Sequence, residues 1–339
     1  MAITFKRIPN TDIANTLSKL HEVIPITGTI VSGTYSDNNI KNYAHEMFQS
    51  VYDYPYLSSS ANHVFDISVG YSANSALSGA TGVVQNEKKI NIYNQFAKIL
   101  VPPDITGSIQ DFDTDGNISD GGTKMTECIF MPFSRLLVKD EIKKGSVELT
   151  FLTGGAWGSP SDAKTLYDAN AQTQYKVDSP AGEFGLLYTN SAGTGDPVGH
   201  VYYQAGIAVL TKSVFENFGF PEQTGYTVDQ TLVSGSITSS GDALRHRIQN
   251  LQFNNTTELN STIYFCRASA NEFNYSSNPT YLSGSKIVVK NNFDDTPVSY
   301  VTTIGLYNDQ NNLVAVAKLS EPLKKDPTTD LTLRVRLDY

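Results

Sequence analysis

The densest concentration of chemistry-bearing residues is Asp111-Phe-Asp113-Thr-Asp115-Gly116-Asn117-Ile118-Ser119. Acids on alternate residues, glycine in sixth place and isoleucine in eighth match the first nine positions of an EF-hand calcium loop. Hard carboxylate oxygens converge there because the glycine permits a sharp turn. Position twelve is Gly122, where that loop needs a bidentate glutamate, and Pro102-Pro103 and Gly121-Gly122 argue against flanking helices. Two readings stand. Asp111, Asp113 and Asp115 form a calcium site completed from elsewhere in the fold, or they belong to a solvated Asp-rich turn.

Catalytic motifs fail on inspection. His21-Glu22 and His45-Glu46 each begin a zinc-helix signature, but Pro25 and Gln49 stand where its second histidine belongs. Neither a G-x-S-x-G elbow nor a Walker A sequence is present. Gly193-Thr-Gly195-Asp-Pro-Val-Gly199 has the wrong third spacing for a dinucleotide loop and leads into a strand. The five histidines (His21, His45, His63, His200 and His246) are scattered. Cys128 and Cys266 are far apart and flanked by apolar residues, which reads as two buried thiols. The chain is read as non-enzymatic, with no cofactor apart from the calcium reading.

The aromatic residues point elsewhere. Tyr52-Asp-Tyr54-Pro-Tyr56, Phe273-Asn-Tyr275 and Tyr281 are candidate contact residues, because tyrosine offers a large amphipathic area at little entropic cost. Arg334 and Arg336 share one face of the last strand and would suit an acidic partner. Ordinary core and turn packing, or a solvated face, is the alternative for each. Charged residues make up 17% of the chain, against roughly a quarter in ordinary soluble proteins, which suits a surface buried against neighbours. The formal charge of -9 argues against direct nucleic-acid binding. No apolar run is long enough for membrane insertion. The opening residues lack a signal peptide's apolar core, so a cytosol-like compartment, or exit by a route needing no signal, is expected.

The elements that must position these residues are legible in part. Helices are expected where Ile13, Leu17 and Leu20 recur, along Ile40, Ala44, Met47, Phe48 and Val51, and along Ile90, Tyr93, Ala97 and Leu100 before Pro102. A fourth is expected over 242–252. Strands are expected over 147–152, 184–189, 201–210, 262–268, 287–290, 300–307 and 313–319. The last strand is read from Leu331, Leu333, Val335, Leu337 and Tyr339 alternating with polar residues. The loop 308–312 reads as a hairpin, and 104–122, 154–163, 189–199 and 231–241 read as polar connectors. The expected fold class is α+β: predominantly antiparallel β-sheet with a helical N-terminal third. A weak boundary separates a helix-containing region (1–105) from a β-rich region (106–339).

Several segments carry a resemblance. Ala270-Asn-Glu-Phe-Asn-Tyr-Ser-Ser-Asn-Pro-Thr-Tyr281, Tyr300-Val-Thr-Thr-Ile-Gly-Leu-Tyr-Asn-Asp309 and Leu313-Val-Ala-Val-Ala-Lys-Leu-Ser320 resemble virion structural proteins of contractile-tailed bacteriophages, cyanophages in particular. Met47-Phe-Gln-Ser-Val-Tyr-Asp-Tyr-Pro-Tyr56 and Asn86-Glu-Lys-Lys-Ile-Asn-Ile-Tyr-Asn94 are similar to the same set, while residues 150–250 add little. The resemblance implies a structural tail subunit, a baseplate-wedge protein first and a neck or capsid protein second. It further implies self-association as a homo-oligomer, dimeric for preference, and docking onto other tail and baseplate proteins. The chain would belong to the virion tail and be assembled in the host cytoplasm. From a different class, a receptor- or glycan-binding tail module fits a β-rich, Tyr-rich chain. A tail-borne polysaccharide-degrading enzyme fits less well.

Overall fold

The computed structural model describes residues 5–26, 37–118, 120–156, 159–215, 226–276, 279–288, 290 and 292–339. The chain forms two compact units, one of Leu20–Thr257 and one of Met1–Lys19 with Glu258–Tyr339. Residue 105 lies inside the first.

Among the described residues the N-terminal third is not helical but mostly strand and turn, with one long helix. Ile13, Leu17 and Leu20 lie on a strand, β1 (Ile13–Pro25). Their helical spacing would matter only on a buried stripe, and Leu17 and Leu20 are 54% and 57% exposed. Pairing across strands decides the conformation instead. Thr262 donates to Asn15, Lys19 pairs with Glu258 and the Glu22 amide donates to Asn255, so partners run backwards as β1 runs forwards.

Residues 40–51 likewise form β2 (Ile40–Asn42) and β3 (Gln49–Tyr52) around a turn in which Glu46 takes a φ of 53°. Ile40 and Val51, both assigned to the expected helical stripe, are cross-strand neighbours in the core. After β4 (His63–Tyr71) comes α1 (Asn86–Leu100), the one expected N-terminal helix that forms. Ile92, Tyr93, Ala97 and Leu100 are its buried face. Glu87 and Lys98 complement its dipole, and Pro102 prevents its continuation.

Among the described residues the remaining α-helices lie after residue 130, and strands fill most of the rest. In order come β5 (Phe112–Asp113), β6 (Lys124–Met125), β7 (Glu127–Pro132), α2 (Arg135–Val138), β8 (Glu141–Ile142), β9 (Glu148–Ala156) and β10 (Ser159–Tyr167). Then follow α3 (Ala171–Gln174), β11 (Lys176–Ser179), β12 (Gly182–Leu187), β13 (Gly199–Tyr202), β14 (Ile207–Thr211), α4 (Val228–Ser234), α5 (Ile237–Arg245) and β15 (Ile248–Ala268). Last are β16 (Leu282–Ser283), β17 (Lys286–Ile287), β18 (Ser299–Tyr307), β19 (Leu313–Lys325) and β20 (Leu331–Asp338). The fold is mostly antiparallel β-sheet.

The Leu20–Thr257 unit is built on an eight-stranded antiparallel sheet in the order β11-β12-β13-β14-β7-β4-β3-β2. The run 201–210, expected as one strand, is a hairpin of β13 and β14 whose turn contains Gly206 at φ 68°. The helix expected over 242–252 ends at Arg245, and β15 begins at Ile248. Phe130 on β7 stacks on Phe96 of α1 at 4.1 Å and meets Tyr93 and Phe112. Burying such a ring contributes roughly 1.5–3 kcal/mol.

In the other unit β20 pairs antiparallel with Ser261–Ala268 of β15, placing Leu333 opposite Cys266 and Val335 opposite Tyr264. β18 and β19 form a two-stranded sheet of their own, closed by the expected loop. The Asn308 carboxamide oxygen accepts from the amides of Gln310 and Asn312 there. Within the strand expected over 287–290, β17 holds Ile287, and Val289 lies outside the described residues.

Candidate functional site

The Asp-rich segment is a loop between β5 and β6, which pair Phe112 with Met125 and Asp113 with Lys124. Gly116 turns it at φ 72°, and a β-carbon there would stand 3.0 Å from the Phe184 ring. His200 donates from Nε2 to the Thr114 carbonyl at 3.3 Å, so the loop is anchored from β13. Asp113, Asp115 and Asp120 bring one carboxylate oxygen each within 4.8 Å of one another.

Asp111 is not in that cluster; it accepts from the Asn74 carboxamide at 2.9 Å. Asp120 falls at a non-ligand place in the calcium-loop pattern. It is recruited by Asn117 and by the Gly122 amide, and an Asp before Gly-Gly was its only sequence signal. Ser119 lies outside the described residues. Burial raises the pKa of Asp113, while a hydrogen bond with Asp113 and the Asn117 amide hold Asp115 low. The donors suit a hard cation, but the Lys124 ammonium already pairs with Asp113. Calcium would have to share or displace that charge.

A second constellation lies on β2, β3 and β4. Ile40, Val51 and Phe65 form one buried cross-strand row; Lys41, Ser50 and Asp66 form the adjacent row with the opposite side-chain direction. After a register shift, Tyr52 stands opposite His63. Asp66 Oδ1 accepts from Ser50 Oγ at 2.5 Å and from His63 Nε2 at 2.8 Å. The carboxylate sits between serine and histidine, so His63 cannot take the serine proton as in a hydrolase triad.

The Tyr52 ring meets His63 edge-on at 5.7 Å and lies 6.5 Å from Tyr56. Burial raises the Tyr52 phenol, helped by Tyr43 and by the Asp66 charge. Tyr54 and Tyr56 are 39% and 37% exposed, so the 52–56 tyrosines are not consumed by the core. In the adjoining turn Tyr43 stacks on His45 at 5.0 Å, with Lys41 Nζ 4.9 Å over the Tyr43 ring. Sequence reasoning missed His63, Asp66 and Ser50, because only the strand register gathers them.

In the unit of Glu258–Tyr339, Phe273 takes a φ of 54° and is exposed, as is Tyr275, while Tyr281 is half-buried. Lys325 is fully buried beneath this turn, donating to Asn274 Oδ1 at 2.8 Å and to the carbonyls of Ala270 and Asp326. Arg336 is held by Asp338 and Ser261. Arg334 is exposed and makes no ion pair among the described residues, whereas Arg336, also exposed, is paired with Asp338.

Both cysteines are free; Cys128 is fully buried and Cys266 half-buried. Two buried titratable groups had no sequence signal. Asp168 accepts from the amides of Gly145 and Val147 at 2.7 and 2.9 Å and from the Tyr203 hydroxyl, and burial raises its pKa to about 6. Burial lowers that of His200 to about 4. No described helix is long and apolar enough to cross a membrane. No protein-family model, curated protein or solved structure matches the chain.

Proposed function

We propose that this chain is a non-enzymatic structural subunit of a contractile phage tail, placed first in the baseplate wedge and second in the neck or capsid. It acts by self-association and by docking onto other tail proteins, and is assembled in the host cytoplasm. The observation that carries the reading is the β18–β19 ribbon. Tyr300, Tyr307, Leu313, Val314 and Val316 are exposed on two strands that pair only with each other among the described residues. A lone two-stranded ribbon is marginal in water, and clustered exposed apolar side chains mark contact surfaces. The resemblance of residues 270–281, 300–309 and 313–320 to tail proteins covers this same ribbon and its approach.

Mass spectrometry of purified virions, with tails separated from heads, tests the proposal. Enrichment in tails at a few copies per symmetry unit is expected. Enrichment in heads would move the protein to the neck or capsid, and absence from the particle would overturn a virion role.

A further inference from the structure

We propose that the face formed by Tyr52, Tyr56 and Asp66 receives an arginine side chain from a partner protein. This rests on the docking role above and names the chemistry of the partner. Asp66 accepts both of its hydrogen bonds on Oδ1, from Ser50 and His63, and no described residue donates to Oδ2. Its side chain is 24% exposed, so the open oxygen is reachable. The Tyr52 ring lies within the electrostatic reach of that carboxylate and edge-on to His63, and the Tyr56 ring stands 6.5 Å from it, inclined at 44°. A carboxylate oxygen next to aromatic faces is complementary to a planar guanidinium, which stacks through its plane and donates from its edge.

Charge selects the cation over a neutral ligand. Residues 20–257 carry 14 Lys and Arg against 24 Asp and Glu, a formal -10, while the rest of the chain carries 11 against 10, a formal +1, so the net negative charge resides in the unit bearing this face. That field accelerates encounter with a basic surface and does nothing for a sugar. Lys41 over the Tyr43 ring shows the neighbouring turn already using the same chemistry internally.

The test titrates the full chain, by nuclear magnetic resonance, with three probes. These are acetyl-Gly-Arg-Gly-amide, its citrulline isostere and N,N′-diacetylchitobiose. The arginine peptide is expected to bind about five-fold more tightly than the citrulline peptide, with an affinity that falls as salt rises. Asp66→Asn and Tyr56→Leu should each weaken it by a similar factor. Tyr56 is exposed, so the second variant keeps the test alive if Asp66→Asn fails to fold. Equal binding of arginine and citrulline, or unchanged binding by both folded variants, would overturn the proposal. Chitobiose binding without arginine binding would replace it with a glycan site. A failed titration leaves virion placement untouched, whereas absence from the particle would sink the docking role even if arginine bound.

Discussion

A β-carbon on Gly70 would stand 2.6 Å from the carbonyl oxygen of Lys89 and 2.9 Å from the amide nitrogen of Tyr93. Strand β4 and helix α1 therefore meet backbone to backbone, which only a residue without a side chain allows. Gly70→Ala should destabilise the chain by about 1–3 kcal/mol, the cost of overpacking a closed core. Urea unfolding measures it, and an unchanged midpoint would show that α1 stands further from β4.

Lys89 itself is buried, donating to the carbonyls of Leu232 and Gly235 at the end of α4, and burial lowers its pKa to about 8. Between that value and the ordinary 10.5 the native chain binds fewer protons than the unfolded one, so stability rises with pH. Above pH 10 the raised Tyr71 phenol, at about 12, pulls the other way. The useful window is therefore about pH 8–10. Lys89→Met should lose the rise and forfeit about 1–3 kcal/mol by stripping two carbonyls of their donor. Parallel curves for the two proteins would refute the assignment.

Asp168 and His200 oppose one another in acid. The raised Asp168 contributes stability that is complete below pH 3.8 and lost as pH climbs through about 6. The lowered His200 does the reverse, costing stability as pH falls from 6.5 through about 4. Each is worth about 3 kcal/mol over the window, so they nearly cancel. Asp168→Asn should make the chain weaken on acidification from pH 6.5 to 4, and His200→Gln should make it strengthen. Denaturant titrations at three pH values suffice, and identical slopes in both variants would sink the idea.

Lys124 is the counter-charge of the Asp113, Asp115 and Asp120 cluster. Lys124→Gln should cost ~3 kcal/mol, because a buried carboxylate loses its partner. Millimolar calcium should restore much of that loss in the variant and raise the melting temperature of the unsubstituted chain by less. Reversal by a chelator is part of the expectation. If calcium moves neither melting curve, the cluster is only a turn.

The final strand was legible because pairing with β15 makes its two faces unequal: Val335 is buried while Arg334 and Arg336 are exposed. Helix α1 was legible for the same reason at a different period. Where burial does not sort the residues, spacing misleads. β1 exposes Leu17, Leu20 and Val23, so their positions record nothing about a core. Ile40 and Val51 look like two points on one helical stripe, yet a turn at Glu46 folds one back against the other. The tyrosines of 52–56 could be picked from their type, but Ser50, His63 and Asp66 meet them only through register. A linear motif likewise does not show that Asp120, and not Asp111, clusters with Asp113 and Asp115, nor that Asn74 donates to Asp111.

The unit made of Met1–Lys19 and Glu258–Tyr339 has a consequence for synthesis. A ribosome delivers Leu20–Thr257 whole before it makes Glu258, roughly ten to fifty seconds after the first segment has emerged. During that interval the start of β1 has no β15 to pair with, and Leu17 waits in solvent. The order of birth along the chain, rather than the strength of any contact, decides which unit exists first.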